Sequence, residues 1–441
     1  MSSPSTPQPA NRPDCSVKFP AYWGDVAQEP ALGAAPLAGE VRCDVAVIGA
    51  GYSGLTAAIA LAERGLDVRL LEAGHVGWGG SGRNSGSVIR GFKTSRTGLI
   101  AQYGRERGGA MSAFGDGTVQ QVFDLVARFD IRCDLRKNGW ILPAHNAAGL
   151  ARTRERCESW TADGTKGLAM LDRAQTAEHL GTETYMGAMI DHECGALNPL
   201  AYARGLARAA QGLGVILHEN SPVTGLEHGP DGTRVRTAQG VVRAGQVLIT
   251  TNAYGNGLDR ESGAQLATIH THMVATDPIP EEIAARIMRH GQSASDSRRI
   301  LHYWHMESDR RMLFGTRGLL DGPRKNGDFA HVIASLHRIY PELKNIGISH
   351  RWAGRVGMTR DFMPRIDQPR PNIWTAYGYC GRGVAMASSY GTLVGKVMAE
   401  KGNLAQIEVP NGPAPKLPAL PLRRMGIVSV TQLYRMMDMV A

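Results

Sequence analysis

Residues 45–74 read VAVIGAGYSGLTAAIALAERGLDVRLLEAG, and this stretch decides the fold. Val45 to Gly49 form a short run of apolar and small residues, the pattern of a buried strand. Gly49-Ala50-Gly51-Tyr52-Ser53-Gly54 follows at once and opens a helical run with Leu55, Ala58, Ile59 and Ala62 on its apolar face. Gly65 closes that helix, Val68 to Leu71 read as a second strand, and Glu72 ends it. Gly49 permits the tight turn, Gly51 lets backbone amides approach a pyrophosphate, and Gly54 lets helix and strand pack closely. The helix N-terminus faces the phosphate charge. Glu72 is placed to accept hydrogen bonds from ribose hydroxyls, with Ala73 beside it. A lone glycine triad is weak evidence, but strand, glycines, helix, strand and acid in this order predict a bound dinucleotide.

Working outward, the 441 residues are too many for one compact core, so two domains are expected. No apolar run approaches a membrane span. The N-terminal MSSPSTPQPANRPDCSVKFP lacks a basic start and an apolar core, reads as a flexible tail, and leaves a cytoplasmic location as the default. The net charge of +9 is dispersed, with no basic block interleaved with aromatics, so nucleic acid is not an expected partner. The six cysteines are scattered without a CxxC pair, so neither a metal site nor a disulfide framework is expected.

After Glu72 comes a long Gly/Ser/Arg/Asn-rich loop, AGHVGWGGSGRNSGSVIRG. A connection of that length is functional or disordered. The segment IRCDLRKNGWILPA then alternates like an antiparallel strand. A helical stretch near ALNPLAYARGLARAAQGLG leads to VILHEN, VTGLEH and the strand-like VLITTNAYGN. HTHMVATDPI, ILHYWHM and RMLFG add further strands, and NIWTAYGYCGRGVAMASSYGTLVGKVMAE returns to strand, Gly-rich turn and helix. The fold expected is α/β: a Rossmann-like nucleotide domain assembled from separated segments, with an inserted α+β domain carrying a mostly antiparallel sheet.

With these motifs in view, the chain resembles FAD-dependent amine and amino-acid oxidoreductases of the D-amino-acid oxidase / sarcosine oxidase family, and most of all the γ-glutamylputrescine oxidase branch. Besides the fingerprint, the resemblance rests on GWGGSGRNSGS, ATDPI, DRRMLFGTR, RWAGRVGMTRDFMPRI and GYCGRGVAMA. It implies FAD as the dinucleotide. It also implies an N-terminal extension at 1–40, FAD-binding pieces at 41–91, 190–256 and 347–408, substrate-domain pieces at 92–189 and 257–346, and a C-terminal tether and short helix at 409–441. Ser81, Gly82, Arg83, Asn84 and Ser85 match the loop beside the flavin, and Arg83 could offset charge on the reduced flavin. Val223 matches an adenine contact, and Thr251 and Asn252 match the strand end near the pyrophosphate. Gly381, Arg382, Gly383 and Val384 match the turn that opens the last helix toward the flavin pyrimidine edge. The family's attachment cysteine has no counterpart between Arg351 and Asp361, and His75 is the loop's one histidine, so FAD is expected to be non-covalent. The lysine that sarcosine oxidases place over the flavin has no counterpart between Lys166 and Lys325, which leaves oxygen or another electron acceptor open.

The resemblance implies oxidation of a C–N bond in a small-molecule amine or amino-acid derivative. Hydride transfer to flavin N5 gives an imine, which hydrolyses, and the flavin is reoxidised. A γ-glutamylated amine is the sharpest substrate it suggests. Such chemistry needs positioning and a neutral amine more than an acid–base dyad, so no catalytic side chain is singled out. Pocket candidates are His302, Tyr303 and Trp304 on one strand, with Trp352, Tyr379 and His270. His302 and Trp304 share one face of an alternating strand, Tyr303 and His305 the other, and only one pair can point at the flavin. For each aromatic a core role weighs as much as substrate contact. An acceptor-linked amino-acid dehydrogenase and a non-catalytic FAD-binding protein remain alternatives. The oligomeric state is left open. The C-terminal helix is expected to pack back on the domain.

Overall fold

A computed structural model describes residues 18–229, 232–255, 257–258 and 260–440. Val45 to Ile48, the inner end of strand Gly39–Ile48, is buried on both faces, as a strand covered by helices must be. It pairs in parallel with Val68–Leu71 on one side and Gly240–Ile249 on the other. The sheet runs Arg365–Arg370, Ile373–Tyr377, Gly240–Ile249, Gly39–Ile48, Val68–Leu71, Ile216–His218, with the hairpin Gly225–Gly229/Gly232–Arg236 attached to Gly240–Ile249. Arg365–Arg370 and the hairpin are its antiparallel members.

The fingerprint helix, Tyr52–Ala62, is buried on every side apart from Ala62, and not only on the predicted stripe. Its second cover is the closing helix Gly383–Ala399, whose small residues permit close approach. A side chain at Gly391 would strike the Ser53 carbonyl, and one at Gly395 would come within 3.0 Å of Ala60 Cβ. Thr56 Oγ1 donates to the Ser388 carbonyl across this contact, at 2.9 Å.

The second sheet runs Ile348–Met358, Ala267–Thr276, Met312–Arg317, Tyr303–Met306, Ser293–Ser295, Trp140–Pro143, Ala188–Asp191, Leu168–Leu171. All its pairings are antiparallel except Ser293–Ser295 with Trp140–Pro143. Two sequence readings are corrected by this topology. Ile348–Met358, assigned to the third FAD piece, is the edge strand of the antiparallel sheet, paired with Ala267–Thr276. Of IRCDLRKNGWILPA only Trp140–Pro143 is strand. A feature that the sequence reading passed over is the 24-residue helix Arg105–Arg128. Gly108 lets it lie against the backbone of Leu99 and Ile100, and Gly115 against Gly91 and Phe92.

The C-terminal helix is longer than expected, Leu420–Val440. Its two ends are tied to the body. The Arg423 guanidinium donates to the carbonyls of Gly263, Ala264 and Leu266. The Asp438 carboxylate accepts from the backbone amides of Arg299 and Ile300, each at 3.0 Å. Among the described residues no helix is long and apolar enough to cross a membrane.

Candidate functional site

A cavity of about 1140 Å³ lies between the two sheets. Sites for drug-sized ligands run to about 1,000 Å³, so this one has room for a dinucleotide with a small molecule beside it. One end is the fingerprint. Gly49 holds φ +106°, a left-handed turn that glycine tolerates, and it lines the cavity with Gly51, Tyr52 and Ser53. Gly54 does not line it. A Cβ there would strike the Gly49 carbonyl, so Gly54 serves the helix–strand contact. Glu72 is buried, and its two oxygens accept from the amides of Ala50 (2.8 Å) and Gly74 (2.9 Å). Burial pushes its pKa up, and those amides pull it back. Each oxygen keeps a lone pair for a ligand, and Glu72, Ala73 and Val223 share this stretch of wall.

The loop after Glu72 is held from several directions. Ser81 Oγ accepts from the Tyr52 amide at 3.1 Å, and the Tyr52 hydroxyl lies 2.6 Å from the Ser81 carbonyl. Asn84 binds the Gly80 and Ser81 carbonyls and accepts from the Gly86 amide. Two buried indoles fix the backbone between them. Trp23 Nε1 donates to the Asn84 carbonyl at 2.9 Å, and Trp352 Nε1 to the Arg83 carbonyl at 3.0 Å. Arg83 donates to the Trp78 carbonyl and lies over its ring. Ser81, Arg83, Asn84 and Ser85 line the cavity, whereas Gly82 packs against the Gly77 carbonyl and does not.

Thr251 and Asn252 line the opposite wall, where Asn252 Oδ1 accepts from the Gly378 amide at 3.1 Å. Tyr379, Gly381, Arg382, Gly383 and Val384 continue it, and the Tyr379 hydroxyl meets Ser53 Oγ at 2.6 Å. Helix Gly383–Ala399 therefore begins at the cavity. The arrangement fits FAD: a glycine cradle, a buried carboxylate, a polar loop and a second helix N-terminus converge on one cavity. Among the described residues no histidine lines the cavity. Its one cysteine, Cys380, donates to the Gly378 carbonyl, and burial raises its pKa.

Of the substrate candidates, Tyr303 and Tyr379 line the cavity and four do not. His302 is buried against Asp296, at 3.0 Å. Trp304 donates to the Tyr340 hydroxyl inside the second core. Trp352 is fully buried and acts on the Arg83 carbonyl, and His270 bonds the Leu320 carbonyl. The alternation is as expected, yet His305, on the face of Tyr303, is stacked on Trp23 and bonded to Glu307. Large aromatic area goes to the core first, which is why picking aromatics misplaced these residues.

Apart from Arg83 and Arg382, the sequence reading missed the cations. Among the described residues nine that line the cavity are lysine or arginine, and only Glu72 and Asp296 are acidic, so the wall favours an anion. Lys93, Arg152 and Arg156 approach from the antiparallel-sheet side, the last two from helix Ala147–Ala162. Arg156 donates to the Lys93 carbonyl (3.3 Å), and Arg382 to the carbonyls of Arg90 and Gly91. Arg90 itself is spent in a buried pair with Asp191, at 2.5 and 2.7 Å. Lys93 lines the cavity with an exposed side chain, yet the protein around it displaces enough water to pull its pKa down, with Arg382 and Arg156 adding to the fall. Burial and Arg156 likewise pull Arg382 down to about 9, where it still carries its charge at neutral pH. No local signal in the sequence joins residues 93, 156 and 382.

Residues 44–400 match the model of the DAO family, FAD dependent oxidoreductase. The chain is 32% identical over 370 residues to a probable oxidoreductase OrdL of Haemophilus influenzae, covering 83% of this chain and 84% of that protein. It is 31% identical over 387 residues to the gamma-glutamylputrescine oxidoreductase of Escherichia coli, covering 86% and 90%. Among solved structures, glycine oxidase from Geobacillus kaustophilus superposes with a TM-score of 0.69 at 21% identity, covering 83% of this chain and 96% of that one.

Proposed function

The chain belongs to the DAO family of FAD-dependent oxidoreductases, and from that premise we propose that it oxidises the C–N bond of an amine that also carries an anionic group, such as an amino acid or a γ-glutamylated amine. The observation that carries the reading is the cationic wall around Lys93, Arg152, Arg156 and Arg382; the lining carboxylate on the antiparallel-sheet side, Asp296, is already paired with Arg298 and His302. FAD, when bound, supplies the two-electron acceptor that takes hydride from the carbon next to nitrogen. Gly49, Gly51, Tyr52, Ser53, Glu72, Ala73, Ser81, Arg83, Asn84, Ser85, Val223, Thr251, Asn252 and the 381–384 turn would hold it without a covalent bond, with Gly54 and Gly82 shaping the backbone. The buried Cys380 thiol is a poor nucleophile, which supports that view.

The chain's own part is positional. The cations anchor the carboxylate end, so that the amine-bearing carbon lies toward the flavin, and Tyr303 and Tyr379 supply apolar walls that disfavour an ammonium. The antiparallel sheet is then the substrate half of the molecule. The test is anaerobic mixing of the holoprotein with γ-glutamylated amines, glycine, sarcosine, proline and matched alcohols while flavin colour is followed. Bleaching by carboxylated amines, faster than by amines lacking a carboxylate, is expected. Bleaching by none of the amines, or equally by the alcohols, would overturn the reading. Admission of air then separates oxidase from acceptor-linked dehydrogenase. Acid precipitation should leave all the flavin in solution.

A further inference from the structure

The segment that leads into strand Gly39–Ile48 ties the two halves of the molecule together, although it precedes the region 44–400 that matches the family model. On the antiparallel-sheet side the Tyr22 hydroxyl donates to Asp309 at 3.0 Å, Asp25 meets His350 at 2.9 Å, and Trp23 stacks on His305 with ring centroids 6.1 Å apart. His305 is itself held by Glu307, which also accepts from Arg136 at 2.7 Å. On the nucleotide side the buried Glu29 accepts from Arg208 at 2.9 Å, and the Leu37 amide donates to Ser221 Oγ at 2.8 Å. Trp23 and Trp352 lie in one apolar cluster with Met273 and Leu313, so the Asn84 and Arg83 carbonyls that they hold point the same way. A trans peptide directs its N–H opposite to its C=O. The N–H groups of those two peptides belong to Ser85 and Asn84, and they are turned away from the cluster. Among the described residues neither amide has a hydrogen-bond partner, and both residues line the cavity. Successive free amides of this kind make a concavity for negative charge.

We propose that Trp23 is a positioning residue for flavin reduction: with Trp352 it turns the Asn84 and Ser85 amides onto the cavity, where they favour the reduced cofactor over the oxidised one. The proposal rests on the assignment of this loop to the flavin made above. Hydride brings the flavin one proton and two electrons, so a neutral ring becomes an anion. Donors held beside it stabilise that anion and not the neutral ring, and the indoles fix them before any ligand arrives. The pyrophosphate is the other anion of FAD, but it carries the same charge in both redox states. Amides turned to it would leave the balance between those states untouched. The placing of the two amides favours the flavin. Ser81 meets the Tyr52 amide at the glycine cradle, whereas Arg83 and Asn84 are pinned by indoles of a cluster against which Tyr303 of the substrate wall also packs. The donors therefore belong to the substrate end of the loop.

The test is the two-electron midpoint potential of the holoprotein, taken against reference dyes with no amine present, so that it is decided apart from the substrate. Trp23→Phe keeps an aromatic ring on His305 and removes the donor. It should hold reduced flavin at least tenfold less tightly relative to oxidised flavin, a fall in potential of about 30 mV, and Trp352→Phe should do the same. Tyr22→Phe loosens the same segment at Asp309 and should leave the potential at the wild-type value. In the unmutated chain, FAD binding should slow deuterium exchange at the Asn84 and Ser85 amides at least tenfold. The proposal is overturned by an unchanged potential in Trp23→Phe, by an equal fall in Tyr22→Phe, or by no protection of the two amides. FAD affinity lost equally in both redox states would overturn it too and assign the amides to the pyrophosphate. Where Trp23→Phe does not fold, Trp352→Phe and the exchange measurement decide. Each of these results leaves FAD binding standing, whereas a chain that takes up no FAD would sink the loop assignment and the proposal together.

Discussion

Gly51 and Gly54 stand three residues apart and differ in what a side chain would meet. At Gly51 a Cβ would approach Ser81 Oγ to 2.9 Å, a side-chain atom that can turn away, and the rest of the space belongs to the cavity. At Gly54 it would strike the Gly49 carbonyl, which cannot move without breaking the turn. Gly51→Val is therefore expected to fold and to lose FAD. Gly54→Ala should destabilise the apoprotein by about 1–3 kcal/mol of overpacking. Thermal melts of FAD-stripped protein, read beside flavin content, check both. Lys93 sets a second test. Its pKa lies below the ordinary lysine value, so its charge, and with it the hold on a carboxylate, is lost as pH climbs toward that lowered pKa. The substrate amine must lose its own proton first, so kcat/KM for a carboxylated amine should rise and then fall with pH. Lys93→Gln should shrink the falling limb to the part that Arg382, with its pKa near 9, contributes, and cost about 1.5–3 kcal/mol of binding at neutral pH, the worth of a hydrogen bond to a charged group. A falling limb that the substitution leaves unchanged would exclude this role for Lys93.

At the scale of elements, the helix Arg105–Arg128 shows how a side of the site is shaped from outside. Gly115 allows that helix to touch Gly91 and Phe92, at 3.1 and 3.2 Å from a would-be Cβ, and so presses the loop that presents Lys93 against the cavity. Gly115→Leu should displace that loop, raise KM for carboxylated amines about tenfold or more and lower the melting temperature, with FAD retained. Full FAD loss would mean that the loop serves the cofactor instead. The same glycines explain why this helix was illegible. Gly108, Gly109, Gly115 and Gly117 lower its helical propensity, and what Gly108 and Gly115 gain is contact with the backbone of neighbouring segments, which no local pattern records. Val68–Leu71 and Tyr52–Ala62 were legible for the opposite reason, since turn chemistry and apolar runs state them locally. Trp304 and Trp352 were legible as strand aromatics, but which face reaches a cavity depends on what packs behind the sheet.

At the scale of the molecule, the α/β class and the interrupted nucleotide sheet could be read from the order of motifs, while the cationic wall could not. Its members arrive on a loop, a helix and a turn separated by up to 289 residues, from Lys93 to Arg382, and only the packed chain brings them to one surface. The interrupted sheet has a consequence in time. Strand Gly39–Ile48 emerges from the ribosome early, but its neighbour Gly240–Ile249 and the helix from Gly383 that covers Tyr52–Ala62 come much later. The 334 residues between Ile48 and Gly383 take roughly 15–70 s to synthesise at about 5–20 residues per second. Through that interval half of a cofactor cradle stands with its apolar helix uncovered, a client for chaperones and a hazard for aggregation. Cofactor is expected to be captured at release, not during elongation. Ribosome-bound chains arrested before Ile373 should bind no FAD, and chains extended past Ala399 and clear of the exit tunnel should bind it. Supplying riboflavin late in expression should then rescue yield as well as supplying it throughout.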